Sequence, residues 1–130
     1  MTQRKITFAL KKINTSKQQC NYTEALVCNY HLNLDLLKYI FSHCSTTKSE
    51  QNKKASVLVE ELLNELDKNP QCKGIISKKS LKEILPWAIK MDAYYKFIKH
   101  KQPSNTKLLL NDGEHILGIL NISANKILSV

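Results

Sequence analysis

Eight lysines fall between residues 78 and 107 of this 130-residue chain: Lys78, Lys79, Lys82, Lys90, Lys96, Lys99, Lys101 and Lys107. Clustered ammonium groups do one kind of chemistry well. They neutralise the phosphates or carboxylates of a polyanion as mobile point charges. Guanine readout draws mainly on bidentate arginine, and the only arginine is Arg4. The expected contact is therefore with phosphates, sensitive to salt and weak in sequence preference. Three aromatic residues, Tyr94, Tyr95 and Phe97, lie among these lysines, and exposed rings there could stack unpaired bases. Tyr94 shares a helical stripe with Trp87, Met91 and Ile98, which assigns it to the core. Tyr95 falls at the edge of that stripe. Phe97 falls off it and is the ring expected to face solvent.

Other chemistries find little to stand on. Cys20, Cys28, Cys44 and Cys72 with His31, His43, His100 and His115 make up the soft-ligand set. No spacing among them matches the paired ligands of a structural zinc site, so no metal is expected. Cys44 belongs to an apolar helical face and reads as a buried thiol. There is no Gly-x-Ser-x-Gly, no His-Glu-x-x-His and no glycine-rich phosphate loop, and the chain has only three glycines. The expectation is a protein that is not an enzyme and carries no cofactor. The four histidines are the only imidazoles from which a metal-free nuclease could be built.

The net charge is +9, from 19 lysines and one arginine against 11 acids. A lysine-rich, asparagine-rich composition can reflect coding bias alone. The charge is unevenly placed, however. Residues 1–22 carry Arg4, Lys5, Lys11, Lys12 and Lys17 with no acid, and residues 68–107 carry ten lysines against Glu83 and Asp92. Glu60, Glu61, Glu65 and Asp67 form an acidic block between them.

These side chains must be positioned by elements read from the periodicity of apolar residues. Ile6, Phe8 and Leu10 alternate with polar neighbours and predict a strand over about 4–13. Residues 14–22 read as a loop. Leu26, Cys28, Tyr30 and Leu32 alternate and predict a second strand, with a short helix as the alternative. Asn33 then reads as the N-cap of a helix over 34–44. Thr47 to Glu50 reads as a capping box starting a helix that runs to about 67, with Ala55, Val59, Leu62 and Leu66 on its buried face. Asn69-Pro70 stops it. Ser77 caps a short helix over 78–85, and Pro86 opens a further helix, or a kinked continuation, to about His100. Asp112-Gly113 predicts the turn of a C-terminal hairpin over 107–120, with a returning strand from Ile116 and a last short strand near 126–130.

The fold expected is thus α+β: one small domain, N-terminal strands, three to four central helices and a C-terminal β-hairpin. Over 53–120 the order helix, short helix, helix, hairpin resembles that of a winged helix-turn-helix. This implies a helix 86–100 in the major groove and the hairpin as a wing on the phosphates. The resemblance lies in the order of elements and in no residue motif. The function expected is a DNA- or RNA-binding accessory or regulatory protein that touches phosphates through Lys78, Lys79, Lys82, Lys90, Lys96, Lys99, Lys101 and Lys107, with Phe97 as the stacking ring. The alternative is an inhibitor or adaptor that engages an acidic surface of a partner protein. Pairing of the acidic block with the basic region between copies would give a homo-oligomer. No stretch approaches 18 apolar residues and the basic N-terminus lacks a signal-peptide core, so no membrane partner is expected and the compartment expected is the cytoplasm.

Overall fold

In a computed structural model, which describes residues 3–45, 53–100 (Lys99 by its backbone only) and 103–129, the chain contains five α-helices and no strand among the described residues. These are α1 (Gln3–Gln18), α2 (Tyr22–Cys44), α3 (Ala55–Lys68), α4 (Lys78–Tyr94) and α5 (Pro103–Leu128). Short 3-10 turns occupy Pro70–Gly74 and Tyr95–His100. The α+β expectation, the N-terminal strands, the C-terminal hairpin and with it the winged-helix order are therefore wrong.

Each misread segment shows its helical period once the burial is known. In α1 the residues turned inward are Ile6, Ala9, Ile13 and Ser16, spaced by three and four. Phe8, which alternation grouped with Ile6, points outward and is 72% exposed. In α2 the buried set is Ala25, Leu26, Asn29, Tyr30, Leu32, Asn33, Leu36, Leu37, Ile40, Phe41 and Cys44. That stripe is wide because α1, α3 and α5 all pack on α2. Asn33 is not a cap but a fully buried mid-helix residue. The cap of α2 is Asn21, whose side chain accepts from the Glu24 N–H at 3.2 Å and donates to the Glu24 carboxylate at 3.0 Å. This reciprocal cap joins a Schellman-type end to α1: Cys20 takes φ 59° and the Asn21 N–H reaches the Ser16 carbonyl at 2.8 Å. The expected loop 14–22 thus shrinks to a tight turn.

The central elements are closer to expectation. Ala55, Val59, Leu62 and Leu66 are buried on α3, Asn69 ends it, and Ser77 caps α4 by accepting from the Ser80 N–H at 3.1 Å. The Thr47–Glu50 capping box lies outside the described residues. The helices expected over 78–85 and from Pro86 onward are one helix that runs through Pro86. The carbonyl that Pro86 leaves without a partner is that of Lys82, on the exposed side where solvent reaches it.

Asp112-Gly113 makes no turn. No glycine among the described residues has a positive φ, and both residues lie in the middle of α5. Gly113 is needed for its missing side chain instead. A Cβ there would stand 2.2 Å from Asn29 Oδ1 and 3.0 Å from the Trp87 ring. Through that gap Asn33 Nδ2 donates to the Gly113 carbonyl at 3.1 Å and to Asn29 Oδ1 at 2.9 Å, and Trp87 Nε1 donates to the Leu109 carbonyl at 3.1 Å. These bonds tie α2, α4 and α5 across a junction closed to solvent.

Candidate functional site

One step along α2 from Asn29, the chain turns a second polar cluster toward the surface. Tyr30 is buried, and its hydroxyl donates to Asp92 Oδ1 at 2.5 Å. The other carboxylate oxygen, Oδ2, accepts from the Ser56 N–H at 3.0 Å and from Ser56 Oγ at 2.5 Å. Ser56 stands in the first turn of α3, whose own flanking residue, Lys54, supplies no side-chain cap. Asp92 therefore provides from α4 the acceptor and negative charge that a helix N-terminus favours. Burial, followed by the hydrogen bond and charge of Asp92, pushes the Tyr30 phenol well above its ordinary range and keeps it a neutral donor.

Beside this tie, Tyr95 in the 3-10 turn after α4 is joined to His31 of α2 by an O–N contact of 3.0 Å between its hydroxyl and Nε2. The Tyr95 ring sits 5.3 Å from Tyr30, which sits 6.1 Å from Trp87. His31 meets Tyr95 edge-on at 5.7 Å and 87°. A row of rings thus runs from the core to the surface and ends on Tyr95, which is 43% exposed.

These groups floor a cleft of about 380 Å³ lined by Tyr30, His31, Leu34, Lys38, Lys53, Lys54, Asp92, Tyr95 and Lys96. Four lysines reach it from three directions: Lys38 from α2, Lys53 and Lys54 from the lead into α3, and Lys96 from the turn after α4. Lys53 is held by Glu61 at 2.7 and 2.8 Å and lies 5.6 Å from the centre of the Phe41 ring. Lys54 and Lys96 are exposed and have no carboxylate within 4.0 Å among the described residues. Asp92, the one acid lining the cleft among the described residues, already accepts three hydrogen bonds. The field at the mouth is therefore cationic, with aromatic surface at its base.

Of the described lysines selected from sequence, Lys96 alone enters this cleft. Lys78 lies 4.0 Å from Asp67 in an exposed pair, and Lys79 and Lys82 are exposed on α4. Lys90 faces α5 beside Asp112, and the Lys107 ammonium lies 6.0 Å from the Tyr22 ring centre. Phe97 is 57% exposed, as its place off the stripe implied, but it does not line the cleft. The Lys99 side chain and all of Lys101 lie outside the described residues. Sequence reasoning missed Lys38, Lys53, Lys54, Tyr30, His31 and Asp92. Lys53-Lys54 stands at the positive end of α3, a local conflict of the kind functional sites carry, but the helix start expected at Thr47–Glu50 hid it.

Four of the remaining reactive groups are engaged elsewhere. His115 Nε2 lies 2.6 Å from Glu83, and His43 Nδ1 lies 3.2 Å from the Tyr39 carbonyl. Cys44 and Cys72 are buried together, with Cys72 Sγ 3.4 Å from the Cys44 carbonyl, and burial followed by Cys72 pushes the Cys44 thiol up. Among the described residues no three His, Cys, Asp or Glu side chains gather as metal ligands, and no helix is long and apolar enough to cross a membrane. Comparison of the chain with protein-family models, with curated proteins and with solved structures found no match.

Proposed function

We propose that this protein is a non-enzymatic nucleic-acid-binding accessory protein whose phosphate contacts centre on the cleft between α2, the start of α3 and the end of α4. One observation carries the reading: Lys38, Lys53, Lys54 and Lys96, from three separate stretches of chain, converge on one concave surface floored by aromatic rings. Its volume, about 380 Å³, falls within the roughly 300–1,000 Å³ of small-ligand sites. Lysine supplies charge without the planar fork that reads base edges, so binding is expected to be salt-dependent and tolerant of sequence.

The test is fluorescence anisotropy with a labelled mixed-sequence oligonucleotide between about 50 and 200 mM salt. Reversing Lys54 and Lys96 together should weaken binding roughly tenfold or more and flatten the salt dependence. Reversing Lys79 and Lys82 on the outer side of α4 should do less. Affinity that is flat with salt, or equal in the two double variants, overturns the assignment. A protein partner that survives nuclease treatment and is lost on the Lys54/Lys96 reversal would overturn it in favour of the adaptor reading.

A further inference from the structure

We infer that the cleft holds an unpaired nucleobase, stacked on the outer face of Tyr95, and so selects single-stranded over duplex nucleic acid. This rests on the phosphate-binding reading above and goes beyond it, because charge alone does not distinguish one strand from two.

Trp87, Tyr30 and Tyr95 follow one another at 6.1 and 5.3 Å, with interplanar angles of 43° and 37°. Tyr30 is fixed by Asp92 and Trp87 by the Leu109 carbonyl, so two of the three rings cannot swing. Tyr95 is fixed in turn by its contact with His31 and by the edge-on imidazole. Its ring meets Tyr30 on one side, and the residue, 43% exposed, lines the cleft. A flat π surface held still and left open loses little entropy when it takes a partner ring. A base seated there continues the row.

The charges fit the same occupant. Lys96 is the next residue after Tyr95, and Lys54, from the lead into α3, lines the same cleft, so the phosphates flanking a seated base would meet ammonium groups from two elements. A paired base cannot enter, since its face is covered by its neighbours in the stack, and a duplex would have to extrude it at a cost of a few kcal/mol. Phe97, though more exposed at 57%, stands outside the cleft and lacks this arrangement.

The experiment compares a labelled single-stranded oligonucleotide with a hairpin duplex of the same bases on the intact chain. Tyr95→Leu should lower single-strand affinity by roughly 5- to 100-fold, leave the salt slope unchanged and leave duplex affinity nearly unchanged. Tyr95→Phe keeps the ring, and Tyr95→Trp enlarges it; both should retain most of the single-strand preference. Circular dichroism and melting of each variant report whether the fold survives. If Tyr95→Leu unfolds the chain, the wild-type preference and the Tyr95→Trp affinity still decide. Wild-type protein that binds both forms equally overturns the inference. So does a folded Tyr95→Leu with unaltered binding while the Lys54/Lys96 reversal abolishes it, and that result leaves the phosphate reading standing. Wild-type protein that binds neither form removes both.

Discussion

Asn29 and Tyr30 are adjacent on α2, yet they serve two polar clusters of opposite character. Asn29 joins Asn33, Gly113 and Trp87 in a junction that solvent does not reach, where Asn33 bonds Asn29 within α2 and two further hydrogen bonds link α2 to α5 and α4 to α5. Tyr30 joins Asp92, Ser56, Tyr95 and His31 under an open cleft ringed by lysines. The difference is instructive. Polar groups inside the first cluster serve closeness: they let α2 and α5 approach to a distance that only a glycine permits. Polar groups in the second serve exposure: they hold an aromatic ring at the surface, beside two exposed lysines that have no carboxylate within 4.0 Å among the described residues. Burial of polarity alone marks neither function nor its absence: Asn29 Nδ2 and Asn33 Oδ1 stay without a partner in the closed junction, whereas the second cluster lies under a surface open to solvent.

The sharpest break of this comparison is Gly113→Ala. A Cβ 2.2 Å from Asn29 Oδ1 and 3.0 Å from Trp87 should cost about 2–4 kcal/mol in urea unfolding, despite the helical advantage of alanine. Adding Asn29→Ala should recover part of the loss, and a stable single variant would show that the junction is loose. Next is Asp92→Ala, which leaves the Tyr30 hydroxyl and the Ser56 N–H without their acceptor. It should cost about 2–3 kcal/mol and also loosen the cleft, seen as weaker oligonucleotide binding. Gly118→Ala is the same chemical change five residues further along α5, but nothing lies within 4 Å of its Cβ. It should stabilise by about 0.5–1 kcal/mol, the opposite sign to Gly113→Ala.

The smallest effect is with pH. Tyr30 and Cys44 both hold their protons more tightly in the folded chain, chiefly through burial. Their contribution is therefore intact below the ordinary values of 10.0 for the phenol and 9.0 for the thiol, and is lost as pH rises above them. The urea midpoint should hold from neutral pH to about 9 and then fall, and Tyr30→Phe should fall less steeply above pH 10 than the parent. Equal slopes in the two proteins would place Tyr30 in contact with solvent and weaken the case for a fixed row of rings.

The central helices were legible because their signals are local. The α3 stripe needs only residues three and four apart, Asn69-Pro70 stops a helix by its own geometry, and Ser77 caps by reaching three residues ahead. The ends of the chain were not. Ile6, Phe8 and Leu10 fit a period of two over a short window, as do Leu26, Cys28, Tyr30 and Leu32. Only packing of α1 and α5 against α2 selects the period of 3.6. Asp112-Gly113 misled for the same reason: glycine permits both a turn and a close approach, and its neighbours in sequence do not say which. The lysine-rich span was visible, but helical geometry spreads Lys79, Lys82, Lys90 and Lys107 around different faces, whereas Lys38, Lys53 and Lys54 come in from outside it.

By itself, then, the sequence determined the net charge and its segregation, the absence of a linear catalytic motif, the buried face of α3 with its end at Asn69, and the Ser77 cap of α4. Each depends on residues within one or two helical turns of one another. Tertiary structure alone decided that the termini are helical, that Gly113 serves an interhelical contact, and that Tyr30, His31, Asp92 and Tyr95 share a site with Lys53, Lys54 and Lys96. The physical reason is separation: Tyr30 bonds Asp92, His31 meets Tyr95 and Asn33 meets Gly113 across more than sixty residues of chain. No local spacing encodes such a meeting until the core has closed around α2.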